Sequence, residues 1–98
     1  MTRTIYKVPV TQTNSSTVKM PWPFTILAVQ SQNNGLYLWA EVEPENTVMV
    51  TRTIEVYGTG WQIESHPEPK RYIGTAQAES GAFVWHVFER GDGVVGKA

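Results

Sequence analysis

What most narrows the fold of this chain is a period. Apolar and polar residues alternate with a repeat of two, and no window of about eleven residues carries the apolar stripe that an amphipathic helix needs. Prolines at 9, 21, 23, 44, 67 and 69 and glycines at 35, 58, 60, 74 and 81 cut this alternation into short runs, which is the punctuation of an all-β chain. Strands are expected near residues 3–9, 15–19, 24–32, 36–43, 47–57, 71–78 and 82–89, with a loop at 66–70. A chain with about seven short strands folds as a small antiparallel β-sandwich or a partly open β-barrel. The expected domain is single and covers 1–90, with 91–98 (GDGVVGKA) a flexible C-terminal tail.

Composition trims the list of functions. Charged residues make up 17% of the chain and hydrophobic ones 41%, a balance that builds a core rather than a disordered segment. Net charge is −1, and the eight basic residues are scattered, with only Lys70 and Arg71 adjacent. Binding to duplex nucleic acid needs a basic stripe along the phosphates, so it is not an expected function. There is no cysteine, hence no disulfide or thiolate site. No apolar run approaches the ~18 residues of a membrane-spanning helix. The segment MTRTIYKVPV has no signal-peptide core, so the expectation is a soluble cytoplasmic protein without a membrane partner.

Two hairpins can be read closely enough to assign faces. In TILAVQSQNNGLYLWAEVE, Asn34-Gly35 is the strongest local signal for a type I′ turn. That turn pairs Ser31 with Leu38, Val29 with Ala40 and Leu27 with Val42 on a core face. Gln32–Tyr37, Gln30–Trp39 and Ala28–Glu41 lie on the other face. In YIGTAQAESGAFVWHVFER, a Ser80-Gly81 turn sets Phe83, Trp85 and Val87 opposite Ala78, Ala76 and Gly74, large residues against small ones as in a filled core. His86 then falls on the opposite face, across from Thr75 and beside Val84–Gln77 and Phe88–Ile73. A slip of one residue would reverse both faces.

Few residues point to catalysis. His86 reads first as a half-buried imidazole satisfied by Thr75, Gln77 or backbone, and second as a polar contact or base in a pocket. His66, in the polar loop, reads as solvated. Two histidines twenty residues apart, no cysteine and a single aspartate, Asp92, match no metal-ligand spacing, so neither metal nor cofactor is expected. Glu41 and Glu43 share a strand face and invite comparison with a glycosidase pair, but a solvent edge accounts for them. No nucleophile elbow is present, and YGTGWQ reads as a strand exit with two special glycines rather than a phosphate loop. The expectation is a protein that is not an enzyme.

The four tryptophans, Trp22, Trp39, Trp61 and Trp85, are the compositional oddity. Trp85 belongs to the core in the hairpin reading, and Trp22, between two prolines, plugs one end. Trp39 and Trp61 remain, with Tyr37 and Gln30, as side chains suited to stacking on a flat ligand or anchoring a partner. The candidate ligand-binding set is therefore Tyr37, Trp39, Trp61, His86 and Gln30.

The order of motifs TIYKVPV, ILAVQ…LYLWAEV, TRTIEVYGTG, YIGT and GAFVWHVFE resembles a family of small tailed-phage and prophage proteins of similar length, known only as a domain of unknown function. The likeness covers roughly residues 3 to 89, most specifically the Y-G-T-G turn and the closing strand. It implies that Trp39, Gly58, Gly60, Gly74 and His86 are positions of interest. The chain departs from the pattern after the Y-G-T-G turn, where Trp61-Gln62 stand in place of an expected His-Pro.

The function expected is that of a phage or prophage accessory protein acting by binding inside the host cell. Counter-defence capture of a small nucleotide-like ligand comes first, by analogy with other phage proteins of this size. The alternative is a protein-interaction module that blocks or recruits a host or phage protein, and a small hydrolase using His86 and a glutamate stands third. Strand edges in so small a domain leave a homo-oligomer open.

Overall fold

The computed structural model describes residues 2–12, 15–63, 70–78 and 81–90. They form β1 (Thr4–Val10), β2 (Ser15–Pro21), β3 (Phe24–Gln32), β4 (Gly35–Val42), β5 (Met49–Gly58), β6 (Lys70–Ala78) and β7 (Phe83–Arg90). A three-stranded sheet runs β1-β4-β3 and a four-stranded sheet runs β2-β5-β7-β6, every pairing antiparallel. Neither sheet closes into a barrel. The shortest dimension of the molecule is 15 Å, room for two layers packed about 10 Å apart, so the fold is a sandwich. His66, most of the expected 66–70 loop, Ser80 and the tail lie outside the described residues.

The core follows from the period of two. Leu36, Leu38, Ala40 and Val42 alternate along β4 and face Ile54 and Val56 of β5 and Trp85 and Val87 of β7, all buried. Full burial of one such aliphatic side chain is worth about 1.5–3 kcal/mol. A slip by one residue would turn the whole row to solvent, and that penalty fixes the register.

The β6–β7 pairing is the one expected from Ala78–Phe83 through Gly74–Val87, with His86 opposite Thr75. Beyond Gly74 the register shifts at a bulge, and Phe88 pairs with Tyr72 instead of Ile73. Phe83, expected in the core, is exposed. It begins its strand, and one ring face rests on Trp85 (centroids 5.9 Å apart, 9° between planes) while the rest meets solvent.

The first hairpin differs in its turn. Asn33 and Asn34, not Asn34 and Gly35, take positive φ (52° and 67°), the type I′ signature. Ser31 therefore pairs with Leu36 and Val29 with Leu38. Moving the turn by one residue shifts each pairing by two and keeps the faces. Leu27, however, is the extra residue of a bulge between Ile26 and Ala28. Ile26 joins the core instead, and Leu27 is 49% exposed.

The edge strands β3 and β6 run side by side in the same direction without a ladder between them. Val29 packs onto Gly74, where a Cβ would lie 2.8 Å from the Val29 Cγ1. The Ser31 hydroxyl donates to the Gln77 carbonyl. Trp22, in the cis-proline connection between β2 and β3, is half-buried and meets Phe24 edge-on at 6.2 Å.

Candidate functional site

The expected site residues separate onto two faces of the sandwich. Gln30, Tyr37 and Trp39 lie on the outer surface of the three-stranded sheet, with Gln30 opposite Tyr37 and Trp39 opposite Ala28. His86 lies on the outer surface of the four-stranded sheet, between Tyr57 and Thr75. Trp61 sits with His86, in the segment that follows β5.

In the first group the two rings stand edge to face. Tyr37 and Trp39 meet at 88°, so no two rings are coplanar. Lys7 covers the Tyr37 ring, its Nζ 4.3 Å from the centroid, and donates to the Gln32 side chain. Gln30 instead lines a polar groove of about 310 Å³ along the β3–β6 seam with Ser31, Thr75 and Gln77. Glu41 and Glu43 are both tied to Arg3, at 3.5 and 3.1 Å, as a solvent edge would be.

The second group does build a cleft, and a turn builds it. The Trp61 amide donates to the Gly58 carbonyl (3.0 Å), and Gly60 at the third turn position has φ +87°, the arrangement of a type II turn. The turn folds Trp61 back onto Gly58, where any Cβ would lie 2.8 Å from the indole. Trp61 then meets Trp85 edge-on at 5.6 Å. The same turn carries the Thr59 hydroxyl to His86 Nε2 (2.8 Å), and Thr75 Oγ1 from β6 meets Nδ1 (3.2 Å). Tyr72 extends this chain to Thr75. Hydroxyls donate and accept, so the pair satisfies either tautomer of a neutral imidazole.

The cleft so formed measures about 320 Å³, with Trp61, Ile63, Tyr72 and Phe88 as its apolar walls and His86 and Thr75 as polar points. Trp61 is 46% exposed and Tyr72 58%. Phe88 is held at its base by edge contacts from Tyr57 (6.1 Å) and Tyr72 (5.6 Å). The hydrolase alternative asked for a glutamate at His86; threonine hydroxyls occupy both ring nitrogens instead.

Next to the cleft lies a feature that reading the sequence did not single out. Glu55 is 1% exposed although it points to the outer face. Tyr57 donates to its Oε1 (2.9 Å), Lys70 pairs with the same oxygen (3.3 Å), and Arg90 pairs with Oε2. Burial pushes the Glu55 carboxyl up, but the hydrogen bond from Tyr57, the bond and charge of Lys70 and the bond from Arg90 outweigh it and hold the carboxyl below its ordinary value. On the core face of the same end, Glu89 joins Arg52 (2.6 Å) and Arg71 (2.7 Å). Four cations drawn from three strands, Arg52, Lys70, Arg71 and Arg90, thus gather around two carboxylates. Part of the signal lies in the sequence, because β6 begins in Lys70-Arg71 and β7 ends in Glu89-Arg90, while Arg52 and Glu55 sit inside β5. Among the described residues, no group of three or more His, Asp or Glu could hold a metal ion.

Fold and site together define a small two-sheet β-sandwich with an aromatic cleft on the outside of its larger sheet. The chain belongs to the family described as domain of unknown function DUF7352, whose model matches residues 1–96. Comparison with curated proteins and with solved structures finds no match.

Proposed function

We propose that this protein works by binding, and that the Trp61–His86 cleft is where it binds. The observation that carries the reading is the type II turn, which places an exposed indole, a doubly anchored histidine and two threonine hydroxyls around one apolar hollow. At about 320 Å³ the hollow is at the small end of the ~300–1,000 Å³ range of ligand pockets, so it suits a single flat ring system rather than an extended ligand. A heteroaromatic ring such as a nucleobase stacks on Trp61 or Tyr72 and hydrogen-bonds to a threonine hydroxyl that His86 holds in place. The setting proposed is that of a phage or prophage accessory protein in the host cytoplasm, where capture of a nucleotide-like ligand counters host defence; the motif order quoted above supports that setting.

One observation favours a second reading, a docking surface for a host or phage protein. Trp61, Ile63, Tyr72 and Phe83 are all large and exposed, and exposed aromatics anchor interfaces. Tryptophan fluorescence separates the two. Titration with adenosine monophosphate and other mononucleotides is expected to quench or shift the emission of Trp61 saturably, and Trp61→Ala to abolish the response while circular dichroism stays unchanged. A flat titration against every mononucleotide would remove the ligand reading and leave protein docking.

A further inference from the structure

The seam between β3 and β6 is pressed shut at two points. Val29 packs onto Gly74, and the Ser31 hydroxyl donates to the Gln77 carbonyl. The polar groove of about 310 Å³ runs along this stretch, with Gln30 and Ser31 on one side and Thr75 and Gln77 on the other. The two ties fix the spacing of its walls, so the groove exists before any ligand arrives and costs little to organise.

Thr75 lines both this groove and the Trp61–His86 cleft, and so joins them. The two hollows differ in character. Rings wall the cleft, whereas the groove presents amides and hydroxyls. Gln30 and Gln77 are exposed, and neither side-chain carboxamide has a hydrogen-bond partner among the described residues. A carboxamide offers an acceptor oxygen and two N–H donors, and a hydroxyl both donates and accepts. Two neighbouring hydroxyls on a sugar can therefore satisfy one such group, one through its oxygen and the other through its nitrogen. Among the described residues, no Lys, Arg, Asp or Glu lines either hollow. Lys70, whose ammonium lies 5.4 Å from the Tyr57 and Phe88 ring centroids, is committed to Glu55 at 3.3 Å.

We infer that the ligand is a nucleoside recognised through its sugar. Its base lies in the Trp61–His86 cleft, its ribose hydroxyls cross Thr75 onto Gln30 and Gln77, and a phosphate contributes nothing. This rests on the binding role proposed for the cleft and names the ligand class of that same site. It also brings Gln30 of the three-stranded sheet to the same ligand as His86 of the four-stranded one.

The Trp61 emission of the full chain tests it, with the common ribonucleosides, their 2′,3′-dideoxy analogues and their 5′-monophosphates as probes. At least one ribonucleoside is expected to bind saturably, and its monophosphate equally well. Its dideoxy analogue is expected to bind roughly three- to tenfold more weakly, the range for net loss of a neutral hydrogen bond. Gln30→Leu and Gln77→Leu, both at exposed positions, are each expected to weaken the ribonucleoside by a similar factor and to leave the dideoxy analogue unchanged. The inference is overturned if the dideoxy analogue binds as tightly as the ribonucleoside, or if neither glutamine variant weakens the ribonucleoside. It is also overturned if the variants weaken both ligands alike, or if the monophosphate binds roughly tenfold or more tightly, as a charged hydrogen bond would give. Each of those results leaves the cleft as a binding site. A flat response to every probe removes the cleft reading and this one together.

Discussion

The Tyr57 hydroxyl donates to Glu55 Oε1 at 2.9 Å on the outer surface of a sheet, yet both side chains are buried. They are buried because Phe88, Lys70 and Arg90 lie across them, with the Lys70 ammonium 5.4 Å from the centroids of both Tyr57 and Phe88. Glu55 is therefore held as a carboxylate in the folded chain, below its ordinary value of 4.5. A depressed carboxyl contributes stability that is complete above the unfolded value and is lost as pH falls through the folded one. Thermal unfolding followed from neutral pH downward is expected to show a steep loss for the wild type below about pH 4.5. Glu55→Gln, already weaker at neutral pH because Lys70 and Arg90 lose their anion, should show a shallower one. Parallel profiles would mean that Glu55 is not held this way.

Glu89 and Arg52 test the opposite face of the same strands. Their side chains are 6% and 9% exposed and 2.6 Å apart. Removing one partner from such a buried pair leaves a charge without compensation and costs about 3–5 kcal/mol. Glu89→Ala is expected to lower the urea midpoint by that measure, a large share of the stability of any small domain. The double variant Arg52→Met/Glu89→Leu restores an apolar interior and is expected to recover most of the loss. Failure to recover would show that the pair does more than fill the core.

Much of this architecture is legible in the residues, for identifiable reasons. The period of two and the Pro and Gly punctuation locate all seven strands, because each strand has one face on a core that tolerates no slip. The His86–Thr75 pairing is likewise readable from large residues set against small ones. What the pattern hides are the two bulges. Leu27 looks like one more apolar residue in ILAV, and Ile73 like one more in YIGT, so the alternation pairs each across the strand where the register in fact shifts. The separation of Trp39 from Trp61 is hidden as well, because it depends on which sheet each strand joins. The turn at Asn33-Asn34 has a local cause. Gly35 is needed for close approach instead of positive φ, since a Cβ there would lie 2.8 Å from the Tyr37 ring.

That assignment predicts how the hairpin responds to substitution. A residue other than Gly, Asn or Asp in left-handed backbone costs roughly 1–2 kcal/mol. Asn33→Ala and Asn34→Ala are each expected to destabilise by about that amount, while Asn34→Gly is neutral or stabilising. Gly35→Ala should also destabilise, through displacement of Tyr37. Urea unfolding measures all four variants. If Asn34→Ala were harmless, the turn would lie elsewhere.

Gly74 and Gly58 carry the sharpest contrast between the seam and the cleft. A methyl group at Gly74 would meet Val29 Cγ1 at 2.8 Å, where the two edge strands are pressed together. Neither side can move without parting β3 from β6, so Gly74→Ala is expected to cost about 1–3 kcal/mol, the usual penalty of overpacking. At Gly58 the same methyl group would meet the Trp61 indole, also at 2.8 Å. That indole is half exposed and has solvent on one side into which it can swing. Gly58→Ala is therefore expected to leave the unfolding midpoint nearly unchanged and to shift the tryptophan emission, since Trp61 leaves the edge of Trp85. It should also weaken any ligand that the Trp61–His86 cleft holds. Equal losses of stability from the two alanines would show that Trp61 is as firmly fixed as Val29, and that the cleft is a rigid part of the core.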